Sequence, residues 1–177
     1  IFNQPTNDGS VLLWNWYRHE SVDWAARAGL SLWKPGQDPT PIYSASGGGY
    51  VVISPTGGRL AFDRVGELGP NSSMRSLVVF DSQTGEEIEV ISTNVPFQDG
   101  KAYWPVWDVS GTKLLYRTFD GESQPTTISV WEFASRTSRV ILTDQEGFPE
   151  ATLRAGGAVV WAVTTANRLL RQELSSG

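Results

Sequence analysis

Apolar and polar positions alternate along most of the chain in short runs broken by Gly and Pro, and no strong helical period competes with that alternation. One arrangement recurs. A turn glycine is followed by an apolar residue three positions on and an aromatic five positions on. It occurs as Gly9, Leu12, Trp14; as Gly57, Leu60, Phe62; as Gly111, Leu114, Tyr116; and as Gly156, Val159, Trp161, with the glycines 48, 54 and 45 residues apart. Because side chains on a strand alternate between faces, the third and fifth positions after each turn share one face. An extended segment precedes each glycine, at 2–4, 50–53, 103–107 and 150–153. A further apolar strand follows at 30–33, 77–80, 128–131 and, more weakly, 169–170, and the first three units add another at 40–44, 87–92 and 138–143. Each unit reads strand, turn, strand, loop, strand, turn, strand. The exception is 17–29, where Val22, Trp24, Ala25, Ala26 and Ala28 leave room for a short helical insertion.

Four antiparallel strands repeated at this period form the blade of a β-propeller. The expected fold is all-β: one domain over residues 1–177, with repeat units at approximately 1–45, 46–95, 96–144 and 145–177. A blade cannot bury both faces alone, so its neighbours stack on it. Trp14, Phe62, Tyr116 and Trp161 are expected to fill the space between blades. The fourth unit reads as three strands, and 1–4 read as the first strand of unit one, so no strand is left over to close a ring. Three arrangements remain: a four-bladed ring with one three-stranded blade, four blades of a larger ring, or an open array whose ends a partner covers. A larger or partner-completed propeller is the expectation, since an uncovered blade face exposes more apolar surface than soluble monomers tolerate. A start at Ile1 rather than Met reads as a processed chain or an excerpt of a longer one.

Residues 53–62 (Ile-Ser-Pro-Thr-Gly-Gly-Arg-Leu-Ala-Phe) and 76–87 (Ser-Leu-Val-Val-Phe-Asp-Ser-Gln-Thr-Gly-Glu-Glu) resemble the TolB-type propeller repeat. That repeat has an aromatic-Ser-Pro-Asp-Gly turn, an apolar strand, and a later apolar strand ending in Asp and a Gly turn. The third unit is similar at 107–116 and 128–131, while Asn7-Asp8-Gly9 keeps the Asp-Gly and Arg154-Ala155-Gly156 only the Gly. Thr56 and Ser110 stand where the family has Asp, which weakens the side-chain brace expected of this turn. The resemblance spans nearly the whole chain. It implies a fold used by scaffolds, sensors and the gating domains of peptidases, and a bacterial periplasmic or cell-envelope location.

Charge and composition narrow the functions. Fourteen basic against 19 acidic side chains give a net charge of −5, which disfavours nucleic-acid binding. The absence of Cys excludes disulfides and thiolate metal sites. The longest apolar run, 158–163, is far short of the ~20 residues that span a bilayer as a helix, so no transmembrane helix is expected, and peripheral association with a membrane complex stays open. His19 lies beside Glu20 and Asp23, the setting of a general base, but it reads as a solvated loop histidine. No Gly-x-Ser-x-Gly elbow accompanies it, and one His with no Cys cannot build a zinc site. Asp120-Gly121-Glu122 is a fragment of a calcium loop and reads as a polar turn; Gly47-Gly48-Gly49 lacks the Lys and helix of a phosphate loop. Glu87 and Glu89 alternate with Ile88 and Val90, the pattern of an outer strand's solvent face. No catalytic, cofactor or metal site is therefore expected.

The variable segments 17–29, 64–76 and 118–127 each join the second strand of a unit to the third, and in a propeller such loops emerge on one side of the ring. They carry Arg18, Trp24, Arg64, Met74, Arg75 and Phe119, residue types that anchor interfaces, and this side is the candidate docking surface. The expected function is a non-catalytic scaffold or accessory subunit binding other protein subunits. The alternatives are the gating propeller of a prolyl-oligopeptidase-like serine hydrolase and a propeller binding a small ligand or sugar in its funnel.

Overall fold

In the computed structural model, residues 2–5, 9–18, 26–46, 51–69, 72–96, 105–119, 125–145, 147–154 and 156–174 are described. They form strands throughout. Sheet 1 contains β1 (Phe2–Pro5), β2 (Val11–Arg18), β3 (Ala26–Trp33) and β4 (Thr40–Ser46). Sheet 2 contains β5 (Val51–Ile53), β6 (Arg59–Gly69), β7 (Ser72–Asp81) and β8 (Glu87–Pro96). Sheet 3 contains β9 (Val106–Trp107), β10 (Lys113–Phe119), β11 (Pro125–Glu132) and β12 (Thr137–Thr143). Sheet 4 contains β13 (Glu150–Arg154), β14 (Val159–Val163) and β15 (Leu169–Glu173). Every sheet is an antiparallel meander in chain order.

Segments read as loops turn out partly paired. β2 continues through Arg18 and β3 begins at Ala26, so both ends of the segment offered as a helical insertion are strand; 19–25 lie outside the described residues. The supposed loop 64–76 is mostly a hairpin, with Arg64 opposite Ser76, Val65 opposite Arg75 and Gly66 opposite Met74. Val65, Met74 and Ser76 sustain the strand because their cross-strand backbone bonds continue the ladder; the polar composition had hidden this.

Three core clusters lie between the sheets. Leu32 of sheet 1 packs with Leu60, Phe62 and Val78 of sheet 2. Ala61, Leu77 and Val79 on the other face of sheet 2 meet Trp107, Leu114, Tyr116 and Trp131 of sheet 3. Leu115, Ile128 and Val130 on the far face of sheet 3 meet Phe148 and Leu153, Val160, Ala162 and Leu174 of the fourth unit. Burial on both faces explains the near-continuous apolar runs of β7 and β11. The outer strands carry a repeated irregularity: β4, β8 and β12 each slip by one residue against their neighbours, leaving Ile42, Val90 and Ile141 as the extra residue. Such bulges add twist, and all three side chains pack against the clusters.

The fourth repeat falls in a different register from the one its sequence suggests. Ile53 opposite Leu60, Trp107 opposite Leu114 and Leu153 opposite Val160 are the same rung of three sheets. The glycine that closes the preceding turn is Gly57, Gly111 and Gly157, each donating its N–H to the carbonyl three residues back, on Ser54, Asp108 and Arg154. The anchor is thus Gly157 rather than Gly156, and its partners are Val160 and Ala162. Trp161 consequently falls on the opposite face from Phe62 and Tyr116, outside the cluster joining sheets 3 and 4. Both glycines have positive φ, +64° and +83°, so conformation alone does not separate them. Packing does: a Cβ on Gly157 would lie 2.9 Å from Asp108 Oδ2, while one on Gly156 meets nothing within 4 Å.

Candidate functional site

The turns between first and second strands tie each sheet to the next. Asp108 is buried at 1% exposure, and its Oδ1 accepts the N–H groups of Thr112 and Lys113 at 2.8 Å each. Ser110, which stands where the TolB-type repeat has Asp, donates its hydroxyl to Asp108. The brace is therefore present but comes from the first position of the turn. In sheet 2 the same place is held by Ser54, whose Oγ accepts the Arg59 N–H at 3.2 Å. A shorter, neutral side chain makes the weaker version.

Two cations on the same rung reach across successive junctions. Arg59 bonds Asp81 in its own sheet, donates from Nη1 to the Gly111 carbonyl at 3.2 Å, and lies 3.5 Å over the Phe133 ring of sheet 3. Lys113 occupies the same rung of sheet 3, lies 3.6 Å from Glu132, and reaches the Gly157 carbonyl at 3.5 Å. Trp107 Nε1 donates to the Val52 carbonyl across the second junction, and buried Arg117 donates to the Phe148 and Pro149 carbonyls across the third. Nearer the rim, Arg136 pairs with Glu86 and Arg168 with Asp144, again between units. These contacts fix the orientation of one sheet on the next. They are architecture, and among the described residues no three of His, Cys, Asp and Glu gather as a metal site.

Of the candidate docking residues, Arg64 is the one whose side chain is described: it pairs with Glu87, its guanidinium 5.5 Å from the Phe62 ring centroid. Arg18, Met74, Arg75 and Phe119 are strand positions whose side chains lie outside the described atoms, as does that of Trp14; Trp24 lies outside the described residues. So do His19, Gly47-Gly48-Gly49 and Asp120-Gly121-Glu122. Because the sheets stack in one orientation, the β2–β3, β6–β7 and β10–β11 hairpins share an edge. The β6–β7 hairpin is the longest, with strands of 11 and 10 residues against 5 and 5 for β14 and β15.

A second surface is one of the end faces that the incomplete repeat count anticipated, though its residues were not legible in the sequence. The face of sheet 4 turned away from sheet 3 carries Thr152, Val159, Trp161, Val163, Leu169 and Arg171, as the cross-strand register requires. Leu169 is 64% exposed, although the residues on its rung in sheets 2 and 3, Leu77 and Ile128, are both 0% exposed. A hollow of about 170 Å³ opens here between Thr152, Trp161, Val163 and Leu169, with Arg171 5.9 Å from the Trp161 ring centroid. What hid its residues was the misassigned glycine: with Gly157 as anchor, Trp161 moves to this face.

Most of the chain superposes on solved propellers. It matches an oligogalacturonate lyase in complex with manganese (TM-score 0.61, 14% identity, 97% of this chain and 47% of that one). It also matches an uncharacterized protein of Listeria monocytogenes EGD-e (0.55, 15%, 93% and 47%) and the β-propeller domain of the Trilobed protease of Pyrococcus furiosus, described as having an open velcro topology (0.54, 15%, 86% and 43%). The chain folds as part of a β-propeller. Its four sheets are blades 1 to 4. It spans about half the length of the structures it matches. No protein-family model and no curated protein matches the sequence. In propeller terms, Arg59 and Lys113 are inter-blade links, and the uncovered face of sheet 4 is the leading face of blade 4.

Proposed function

We propose that this propeller is a non-catalytic interaction module, a scaffold or accessory subunit of a larger protein assembly in a bacterial cell envelope, including one peripherally attached to a membrane. The observation that carries the reading is the shared hairpin edge, above all the extended β6–β7 hairpin with Arg64, Met74 and Arg75. Strands longer than the blade core needs place interface-forming residue types on a rigid support, the usual construction of a binding surface. Affinity capture from the source cells, comparing the wild type with an Arg64→Glu, Met74→Asp double variant, tests it. The reading expects at least one protein recovered in stoichiometric amount with the wild type and lost with the variant. Equal recovery with both would overturn it.

A propeller that gates a serine hydrolase is the second reading, favoured by the likeness to a protease's propeller domain. It requires a Gly-x-Ser-x-Gly segment on the native polypeptide, and the intact mass of the chain from its source separates the two.

A further inference from the structure

We infer that the outer edge of β8 is a strand-addition site, pairing an extended segment of a partner protein in which an uncharged, alternating stretch ends in Lys or Arg. The inference rests on the reading of this chain as an interaction module and adds a contact apart from the hairpin tip. β8 is the last strand of sheet 2, and among the described residues no strand lies beyond it. The backbone groups along such an edge are a template for a further strand.

Edge strands are ordinarily blunted by bulges, proline, charge or brevity. β4 has Pro41 within it and four paired positions beyond its bulge, while β12 has Arg139 and two such positions. β8 has six, Ile91 to Pro96 against Leu77 to Ser72, and its proline stands at the far end. The sequence holds no charge between Glu89 and Asp99. Ile91, Thr93 and Val95 take alternate register positions, with Ser92 and Asn94 between them. One row is therefore β-branched and the other small and polar, a composition that favours pairing. The long β6–β7 hairpin backs this edge, because Arg75, Met74 and Ser73 pair with Thr93, Asn94 and Val95.

Charge identifies the occupant. No Lys or Arg occurs between Arg75 and Lys101, whereas Asp81, Glu86, Glu87, Glu89 and Asp99 do. A second copy pairing here would set acid near acid without a cation to offset it. Glu86 and Glu87 have arginine partners, Arg136 and Arg64. Glu89 is exposed and accepts a neutral hydroxyl, that of Ser76, at 2.9 Å. A strand added antiparallel to β8 reaches Glu89 at its C-terminal end, so a cation there completes the pair. Backbone bonds supply the affinity of such a complex, and alternate side chains beside the Ile91, Thr93 and Val95 row supply the preference.

Fluorescence polarisation with the purified chain and a labelled peptide containing Val-Thr-Val-Ser-Val-Arg tests the inference. The peptide is expected to bind, and amide exchange at 91–95 to slow when it does. Two further versions carry N-methyl groups on one or the other alternate set of residues. One set is expected to weaken binding by about tenfold or more, because it removes backbone bonds, and the other to leave it within about threefold. Replacing the peptide's arginine by Glu should cost about two- to fivefold on the wild type, the size of an exposed ion pair, and little on Glu89→Gln. No binding, equal losses from both methylated sets, or exchange slowed only elsewhere would each overturn the inference. So would slowed exchange at 91–95 without peptide together with a doubled mass, the sign of a second copy on this edge. The hairpin-tip reading stands or falls on its own capture experiment, since the peptide assay reads β8.

Discussion

Ile128 in blade 3 and Leu169 in blade 4 occupy the same rung of the same strand, yet Ile128 is 0% and Leu169 64% exposed. The repeat makes a sheet with two apolar faces; only the neighbour decides which face is a core. The difference makes the largest prediction. Ile128→Ala should destabilise the fold by about 2–5 kcal/mol, the cost of lost transfer energy plus a cavity. Leu169→Ala should change stability by less than about 0.5 kcal/mol in the isolated monomer, as for other exposed positions. Urea denaturation at low protein concentration measures both, and similar losses would mean that blade 4 is covered on both sides.

Much of this architecture was legible beforehand because it rests on period-two alternation and turn glycines, which act locally. The strand order, the three-stranded fourth unit and the four-unit count follow from those signals alone. The register of blade 4 was not legible. Gly156 and Gly157 are adjacent, and what selects Gly157 is Asp108 of another blade, 49 positions away in the chain. The same limit hid the bulges at Ile42, Val90 and Ile141, which are slips of pairing rather than of composition. For the candidate site, interface-prone residue types could be named, but their placement on paired strands instead of loops depended on hairpin extension.

The anchor glycines sharpen the contrast between covered and uncovered turns. Gly111→Ala and Gly157→Ala meet two obstacles: left-handed backbone, at φ +68° and +83°, and a Cβ that would approach Thr56 Oγ1 to 2.8 Å or Asp108 Oδ2 to 2.9 Å. The left-handed conformation alone costs an L-residue roughly 1–2 kcal/mol, and the steric conflict adds to it because both neighbours belong to another blade's turn. Gly9→Ala, at φ +77° in open space, should show the conformational cost alone. Thermal unfolding of the three variants should rank Gly9→Ala as the mildest; an equal loss at all three would remove the packing argument for Gly157 as anchor.

The turn braces give a smaller effect of the same kind. Asp108→Ala removes a buried carboxylate that accepts the Thr112 and Lys113 N–H groups, and losing these bonds to a charged acceptor is expected to cost about 1.5–3 kcal/mol. Ser54→Ala removes one neutral acceptor and should cost about 1 kcal/mol. Hydrogen exchange at the Thr112, Lys113 and Arg59 amides would separate local loosening from global loss. Ser54→Asp should then strengthen the second turn toward the third; unchanged protection at Arg59 would show that the acid works only where Ser110 and Thr112 flank it.

The smallest effect distinguishes links that fix a junction from links that decorate it. Arg59 and Arg136 both connect blades 2 and 3. Arg59 is held by a carboxylate, a carbonyl and an aromatic face, whereas Arg136 meets Glu86 with side chains 54% and 41% exposed. An exposed pair in high dielectric gains little, so a double-mutant cycle on Arg136 and Glu86 should give about 0.2–1 kcal/mol of coupling. Raising the ionic strength to 1 M shortens the screening length to about 3 Å and should remove most of it. The Arg59→Met variant should lose stability that salt does not restore, because its contacts with the Gly111 carbonyl and the Phe133 ring are partly sheltered from solvent. Coupling above about 2 kcal/mol at the rim pair, or coupling insensitive to salt, would mean that the outer turns orient the blades as firmly as the inner ones do.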